Sequence, residues 1–301
     1  MEEEQKKENK LLWADIVPNK PSHDLILWIK IIGLGIFLFA SGIVITNQFG
    51  WLDSVSAPED STEESTSVAS CNVKGTILRG DVVTYISPDG YNDNGDVIVD
   101  QGSSEFVVRD IENAEKDDSI KAIIVEIDSY GGSGVAGEEI ANALKAAKKP
   151  TVALIRDGAA SAAYWAATGA SRIFASNNSD VGSIGVTMSY LDVSKQNKKE
   201  GYTYNSLSSG KFKDTGDPDK TLTPEEVKLM MRDVNIMHQN FIKAVSENRK
   251  LDIEKVKTLA DGSTMLGEAA LQNGLIDQIG GQMEVNQYLK DKIGEDVEIC
   301  W

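Results

Sequence analysis

Hydrophobic and polar positions divide the 301-residue chain into unlike stretches. Residues 1–24 are polar and charged. From Leu25 to Thr46 nearly every residue is apolar, Lys30 being the interruption. That run reaches the ~20 residues a spanning helix needs, and soluble helices normally keep a polar face. Trp28 and Trp51 stand where interfacial anchors belong. The run is long for a signal peptide, and proline makes Ser56-Ala57-Pro58 a poor cleavage site. Lys6, Lys7, Lys10 and Lys20 precede the run, and no lysine or arginine occurs between Trp51 and Asn72. The positive-inside rule therefore puts the N-terminus in the cytoplasm and the rest outside. The expected organisation is a cytoplasmic tail (1–24), a transmembrane helix (25–46), an acidic Ser/Thr-rich linker (47–71) and one folded domain (72–301).

Within the domain the period of the pattern changes repeatedly. Val73–Leu78 and Val82–Ile86 read as strands. Ser104–Lys116 reads as a helix, with Phe106, Val107, Ile111 and Ala114 on or near one face. Ile120–Ile127 is β-branched and apolar, as a central strand should be. A helix over Val135–Ala147, a strand over Thr151–Ile155, an alanine-rich helix over Ala162–Thr168 and a short strand over Arg172–Ala175 follow. Alternating strands and helices imply βαβ units and a mostly parallel sheet, hence the α/β class. Tyr202–Asn205 reads as a strand. Thr223, Pro224 and Glu226 begin a helix with a capping box. In that helix Val227, Met230, Val234, Met237, Phe241 and Val245 recur as a core stripe, and His238 is an ordinary helix residue. Helices over 252–260, 267–273 and 282–292 complete the pattern, with a strand or turn at 275–280.

Composition narrows the function classes. The net charge of −17 argues against nucleic acid as a partner, since phosphate binding needs a basic face. Two histidines, His23 and His238, and two cysteines, Cys71 and Cys300, give no cluster with metal-ligand spacing, so neither a metal nor a cofactor is implied. Outside the cytoplasm the cysteines either pair across the ends of the domain or stay as separate thiols.

The candidate chemistry centres on Ser161, which sits between the strand at 151–155 and the helix at 162–168. As structure it is an N-cap in a tight turn; as chemistry it is a nucleophile beside backbone amides that lack helical partners. Gly131-Gly132 follows the strongest strand without the dinucleotide-binding spacing. Val181–Val186 carries a second turn serine, Ser183. A nucleophilic serine needs a base. His23 lies across the membrane and His238 has no evident third group, which leaves lysine. A free lysine amine titrates at about 10.4, so burial must lower it before it takes a proton. Composition does not choose among the lysines.

Gly158–Trp165, the Gly182-Ser183-Ile184-Gly185-Val186 turn and Ser209-Gly210-Lys211-Phe212-Lys213-Asp214 occur in that order. With Asp128–Gly132, Asp261-Gly262 and Gly274–Asp277, this set resembles the bacterial signal peptide peptidase A (protease IV) family of Ser–Lys serine peptidases, over roughly 73–290. The resemblance implies a Clp/crotonase-like α/β fold of repeated ββα units. It implies Ser161 as nucleophile, Lys213 as general base with Lys211 as nearest rival, and Ser183 as the hydroxyl that orients the amine. Gly131, Gly132 and the Ala162 amide match the oxyanion region. Signal peptides or other apolar membrane-associated peptides are the implied substrates, and a homo-oligomeric ring the implied assembly. Two motifs depart from the family. Ala162-Ala163 replaces a usual Gly-Gly, and Tyr130 replaces a proline. The competing reading is a non-catalytic, membrane-anchored scaffold of the same fold that binds extended peptides. An acyl-CoA enzyme is disfavoured by the anchor.

Overall fold

The computed structural model describes residues 71–85 and 101–301. The tail, the apolar run and nearly all of the linker lie outside the described residues, as does Ile86. Among the described residues, which fall in one compact unit, no helix is long and apolar enough to cross a membrane.

Strand β1 (Val73–Arg79) leads into a short parallel pair, β2 (Asp81–Val83) with β3 (Gln101–Ser103). Helix α1 (Ser104–Lys116), β4 (Ala122–Ser129), α2 (Gly134–Ala146), β5 (Thr151–Ala160) and α3 (Ala162–Thr168) follow. Next come β6 (Arg172–Ala175), β7 (Asp180–Gly182), α4 (Ser194–Glu200), α5 (Pro224–Arg249) and α6 (Ile253–Leu259). The chain ends through β8 (Thr264–Leu266), α7 (Gly267–Asn273), β9 (Gln278–Ile279), α8 (Gln282–Ile293) and β10 (Ile299–Cys300). The main path of the sheet runs β10-β1-β4-β5-β6-β9, parallel throughout. Strand β7 leaves this path, pairing in parallel with the end of β5 and antiparallel with β8.

A parallel sheet is covered on both faces, so its central strands are apolar on both. In β4, Ile123, Val125 and Ile127 pack with Val107 and Ile111 of α1 and Ile140 and Leu144 of α2. Ile124 turns the other way, toward Val152, Leu154 and Leu289 of α8. All seven residues of α3 are buried. Its alanines allow close approach by α2, where a Cβ at Gly137 would stand 2.5 Å from the Ala162 carbonyl oxygen. Asp277 fastens the end of α5 to the sheet, accepting from the Arg249 guanidinium at 2.8 and 3.0 Å and from the Ile173 amide at 2.8 Å.

Several expectations need correction. The predicted core stripe of α5 is core only at its C-terminal end. Phe241 and Val245 are buried, whereas Val227 and Met237 are exposed, and Met230 and Val234 are half-buried. In the second half of this 26-residue helix Phe241 stacks on Trp165 of α3, and Phe241, Ile242 and Val245 join the buried core. Tyr202–Asn205 is loop, with its side chains exposed. Strand propensity counts only where a pleated surface is available to pair. Strand β5 runs five residues beyond its predicted end, up to Ser161. Of the two alternatives for the cysteines, the structure has the pair: Cys71 and Cys300 form a disulfide with a Cα–Cα distance of 5.7 Å. It lies beside β1–β10, where the Asn72 side chain donates to the Asp296 carbonyl at 2.7 Å.

Candidate active site

Strand β5 pairs with β7 from Gly158 to Ala160. The Ser161 amide then donates to the Gly182 carbonyl at 2.8 Å, while the Ser161 carbonyl accepts from the Trp165 amide at 3.0 Å. One residue thus ends the strand and begins the helix. To turn so sharply it takes φ 52 and ψ −126, a conformation that costs a non-glycine residue about 1–3 kcal/mol. The Ser161 side chain makes no capping hydrogen bond. The plain N-cap role is therefore not the one it fills. Ser183, after β7, also has positive φ, at 49.

The turn after β4 approaches Ser161 closely. Gly131 has φ 118, and a Cβ there would lie 2.8 Å from the Ser161 Cβ and 3.3 Å from its Oγ. The Gly131 amide donates to Ser129 Oγ at 3.2 Å. Its carbonyl accepts from the Val82 amide at 2.9 Å, and the Ser133 amide donates to the Val82 carbonyl at 2.7 Å. Strand β2 therefore holds the turn from both sides of Gly132. Among the described residues, neither the Gly132 nor the Ala162 amide donates a backbone hydrogen bond outside the regular elements. Tyr130, at the position of the family's proline, anchors the turn by its side chain. Its hydroxyl donates to Asp157 at 2.9 Å, and its ring lies against Gly158. That hydrogen bond to a carboxylate holds the Tyr130 hydroxyl above its ordinary pKa.

Two cavities meet at Ser161. One, of about 420 Å³, is lined by Val135, Trp165, Val186, Met237 and Phe241. Its floor is the stacked pair Trp165–Phe241, with ring centroids 4.9 Å apart. Ala162 reaches this wall; Ala163 is fully buried against α2. The added methyl that narrows the site is thus that of Ala162. The second cavity, of about 550 Å³, brings Ser161 and Ser183 together with Tyr130, Thr187, His238 and Asp261. Ser183 Oγ donates there to the Gly262 carbonyl at 2.9 Å. His238 is the residue that sequence reasoning missed. Its Nε2 is buried without a hydrogen-bond partner among the described residues. Neither its spacing nor its neighbours in α5 signal this. A larger cavity, of about 700 Å³, lies between Arg156, Asn178 and Met283 and holds none of the expected site residues.

Ser161, Ser183, Gly131, Gly132 and Ala162 therefore converge. Lys213 does not join them within this chain. It is exposed in the turn after Gly210, its amide donating to the Gly210 carbonyl at 3.1 Å, and it lines neither cavity beside Ser161. Lys211 pairs with Glu225 at 2.5 Å. Among the described residues no group of histidine, cysteine, aspartate and glutamate is arranged to hold a metal.

A serine at a strained strand-to-helix corner, with free amides on both sides, is the arrangement of an acyl-transfer site. Residues 143–295 match the model of peptidase family S49. The chain belongs to this family, that of signal peptide peptidase A and protease 4. It is 34% identical to a putative protease of Methanocaldococcus jannaschii, over 66% of this chain and 65% of that one. It is 32% identical to a putative signal peptide peptidase of Enterococcus faecium, over 64% and 60%. To protease 4 of Haemophilus influenzae it is 30% identical, over 78% and 37%. The match thus spans under two thirds of each of these relatives. Among solved structures, a ClpP1 mutant from Listeria monocytogenes superposes with a TM-score of 0.45 at 14% identity, over 70% of this chain and 92% of that one.

Proposed function

We propose that this chain is a membrane-anchored serine endopeptidase of the Ser–Lys type, built on a Clp/crotonase-like fold and acting on signal-peptide remnants or other apolar peptides outside the cytoplasm. One observation carries the reading: Ser161 is held at positive φ against Gly131, beside the amides of Gly132 and Ala162 and an apolar cavity. In the reaction a neutral Lys213 takes the Ser161 proton as Oγ attacks a peptide carbonyl. The Gly132 and Ala162 amides bind the oxyanion, each donor typically worth about 2.7–4 kcal/mol. Lys213 then protonates the leaving amine, and water releases the acyl-enzyme. Ser183, across the second cavity, gives up its bond to Gly262 to orient the amine. Ile184–Asp192 makes no backbone–backbone hydrogen bond among the described residues, which leaves an edge for an extended peptide.

Lys213 reaches Ser161 from a second copy of the chain, its own turn staying fastened to α5. The homo-oligomer is supported by the exposed Leu191, Tyr202, Leu207, Met231 and Ile236 on the segments around that turn. The disulfide supports a domain outside the cytoplasm, since such bonds persist in oxidising compartments. The test is cleavage of an apolar fluorogenic peptide by the full chain in detergent. Activity abolished in both Ser161→Ala and Lys213→Ala is the expected result. Full cleavage by Ser161→Ala refutes the nucleophile. The separation of Lys213 from Ser161 within one chain favours the scaffold reading, which predicts peptide binding without cleavage.

A further inference from the structure

We propose that Lys220 is a positioning residue for the Lys213 turn, clamping it to the first turn of α5 and occupying the carboxylate next to the base. The inference rests on the Ser161–Lys213 reading above. Lys220 Nζ donates to Asp214 Oδ1 at 2.9 Å and to Glu226 Oε1 at 2.6 Å. Glu226 is buried, with only 2% of its surface exposed, and its other oxygen closes the capping box by accepting from the Thr223 amide at 2.8 Å. Thr215 Oγ1 donates to Glu226 at 3.2 Å, and Ser206 Oγ to Asp214 at 2.7 Å. The two residues that follow Lys213 are therefore both tied to the capped N-terminal turn of α5, Thr215 directly and Asp214 through Lys220.

The charges around the turn give the clamp a second consequence. They are Lys211, Asp214, Asp217, Asp219 and Lys220, with Glu225 and Glu226 facing them from α5; the Tyr204 hydroxyl also donates to Asp217, at 3.1 Å. Lys211 is paired with Glu225, and Lys220 with Asp214 and Glu226. Among the described residues Lys213 is the lysine of this turn left without an ion pair. A carboxylate beside an amine favours its charged form, which is useless as a base. Lys220 takes up the carboxylate of Asp214, adjacent to Lys213 in the chain, before it can do so.

The experiment compares full-length wild type, Lys220→Met, Lys220→Arg and the double variant Lys220→Met/Asp214→Asn. Peptide cleavage is followed against pH, with melting temperature and fluorophosphonate labelling of Ser161 measured alongside. Lys220→Met should move the low-pH limb of kcat/KM up by about one pH unit, a loss of about ten-fold below that limb, carried by kcat more than KM. Lys220→Arg should restore wild-type behaviour. The double variant should move the limb back, because the freed anion is gone. An unmoved limb and kcat in Lys220→Met overturns the inference, as does a Lys220→Arg variant that is folded but no better than Lys220→Met. Should Lys220→Met fail to fold, Lys220→Arg and the double variant decide by the same criteria. Full activity in Lys213→Ala sinks the underlying dyad; an inactive Lys213→Ala beside an unaffected Lys220→Met sinks only the clamp.

Discussion

Replacing Ser161 by glycine should remove the chemistry and strengthen the fold. Ser161 takes φ 52 and ψ −126 because the last strand bond and the first helix bond fall on the same residue. A side chain held in such a region costs about 1–3 kcal/mol. Glycine removes that cost but loses more backbone freedom on folding, about 0.5–1 kcal/mol. The net gain is about 0–2.5 kcal/mol, with a midpoint of about 1.3, or about 3–5 °C in melting temperature at that midpoint for a domain of this size. Ser161→Ala is the control, because it also lacks the hydroxyl yet keeps the Cβ. Thermal denaturation of the two variants, followed by circular dichroism, isolates the backbone term. Glycine melting at or below alanine would refute the claim that the corner is strained.

Three other outcomes follow from the same geometry. Gly131→Ala places a methyl against Ser161 and forces φ 118 on a residue with a Cβ; cleavage should fall about 10²–10³-fold as the oxyanion turn shifts, and a loss under three-fold contradicts that arrangement. The Lys220 ammonium, first, and then the Thr223 amide hold the Glu226 carboxyl down at about 2, below its ordinary 4.5. A depressed carboxyl stabilises the fold above its unfolded pKa, so this contribution should be lost as pH falls from 4.5 through about 2, and Glu226→Gln should flatten the melting-temperature curve in that window. Cys300→Ser should lower stability by about 2–4 kcal/mol in denaturant titrations, through release of the Cys71 clamp; an unchanged midpoint refutes the clamp.

What the sequence revealed follows from how local each signal is. The run from Ile120 to Ile127 identified its strand because Ala122–Val125 is uninterrupted apolar sequence buried on both faces, with Lys121 and Glu126 at its margins. Ser161 and Gly131-Gly132 were legible because a strand, a small-residue turn and a helix are contiguous in the chain. The strain at Ser161 was not legible, since it arises from pairing between β5 and β7, and the three residues of β7 show no period of their own. The apolar stripe of α5 is real, but periodicity does not say where the partner surface ends, and here it serves only Phe241 onward. His238 reaches the Ser161 cavity through tertiary packing alone. Lys213 was assigned by motif, and its exposure in the folded chain is a property no local pattern carries.

The proposed mechanism requires Ser161 to be an activated nucleophile. Intact-mass spectrometry of the full-length protein after exposure to a fluorophosphonate tests it most directly. One adduct per chain, mapped to Ser161 and lost in Ser161→Ala, is the predicted result. A wild-type protein that stays unmodified while folded, or an adduct that persists in Ser161→Ala, contradicts it.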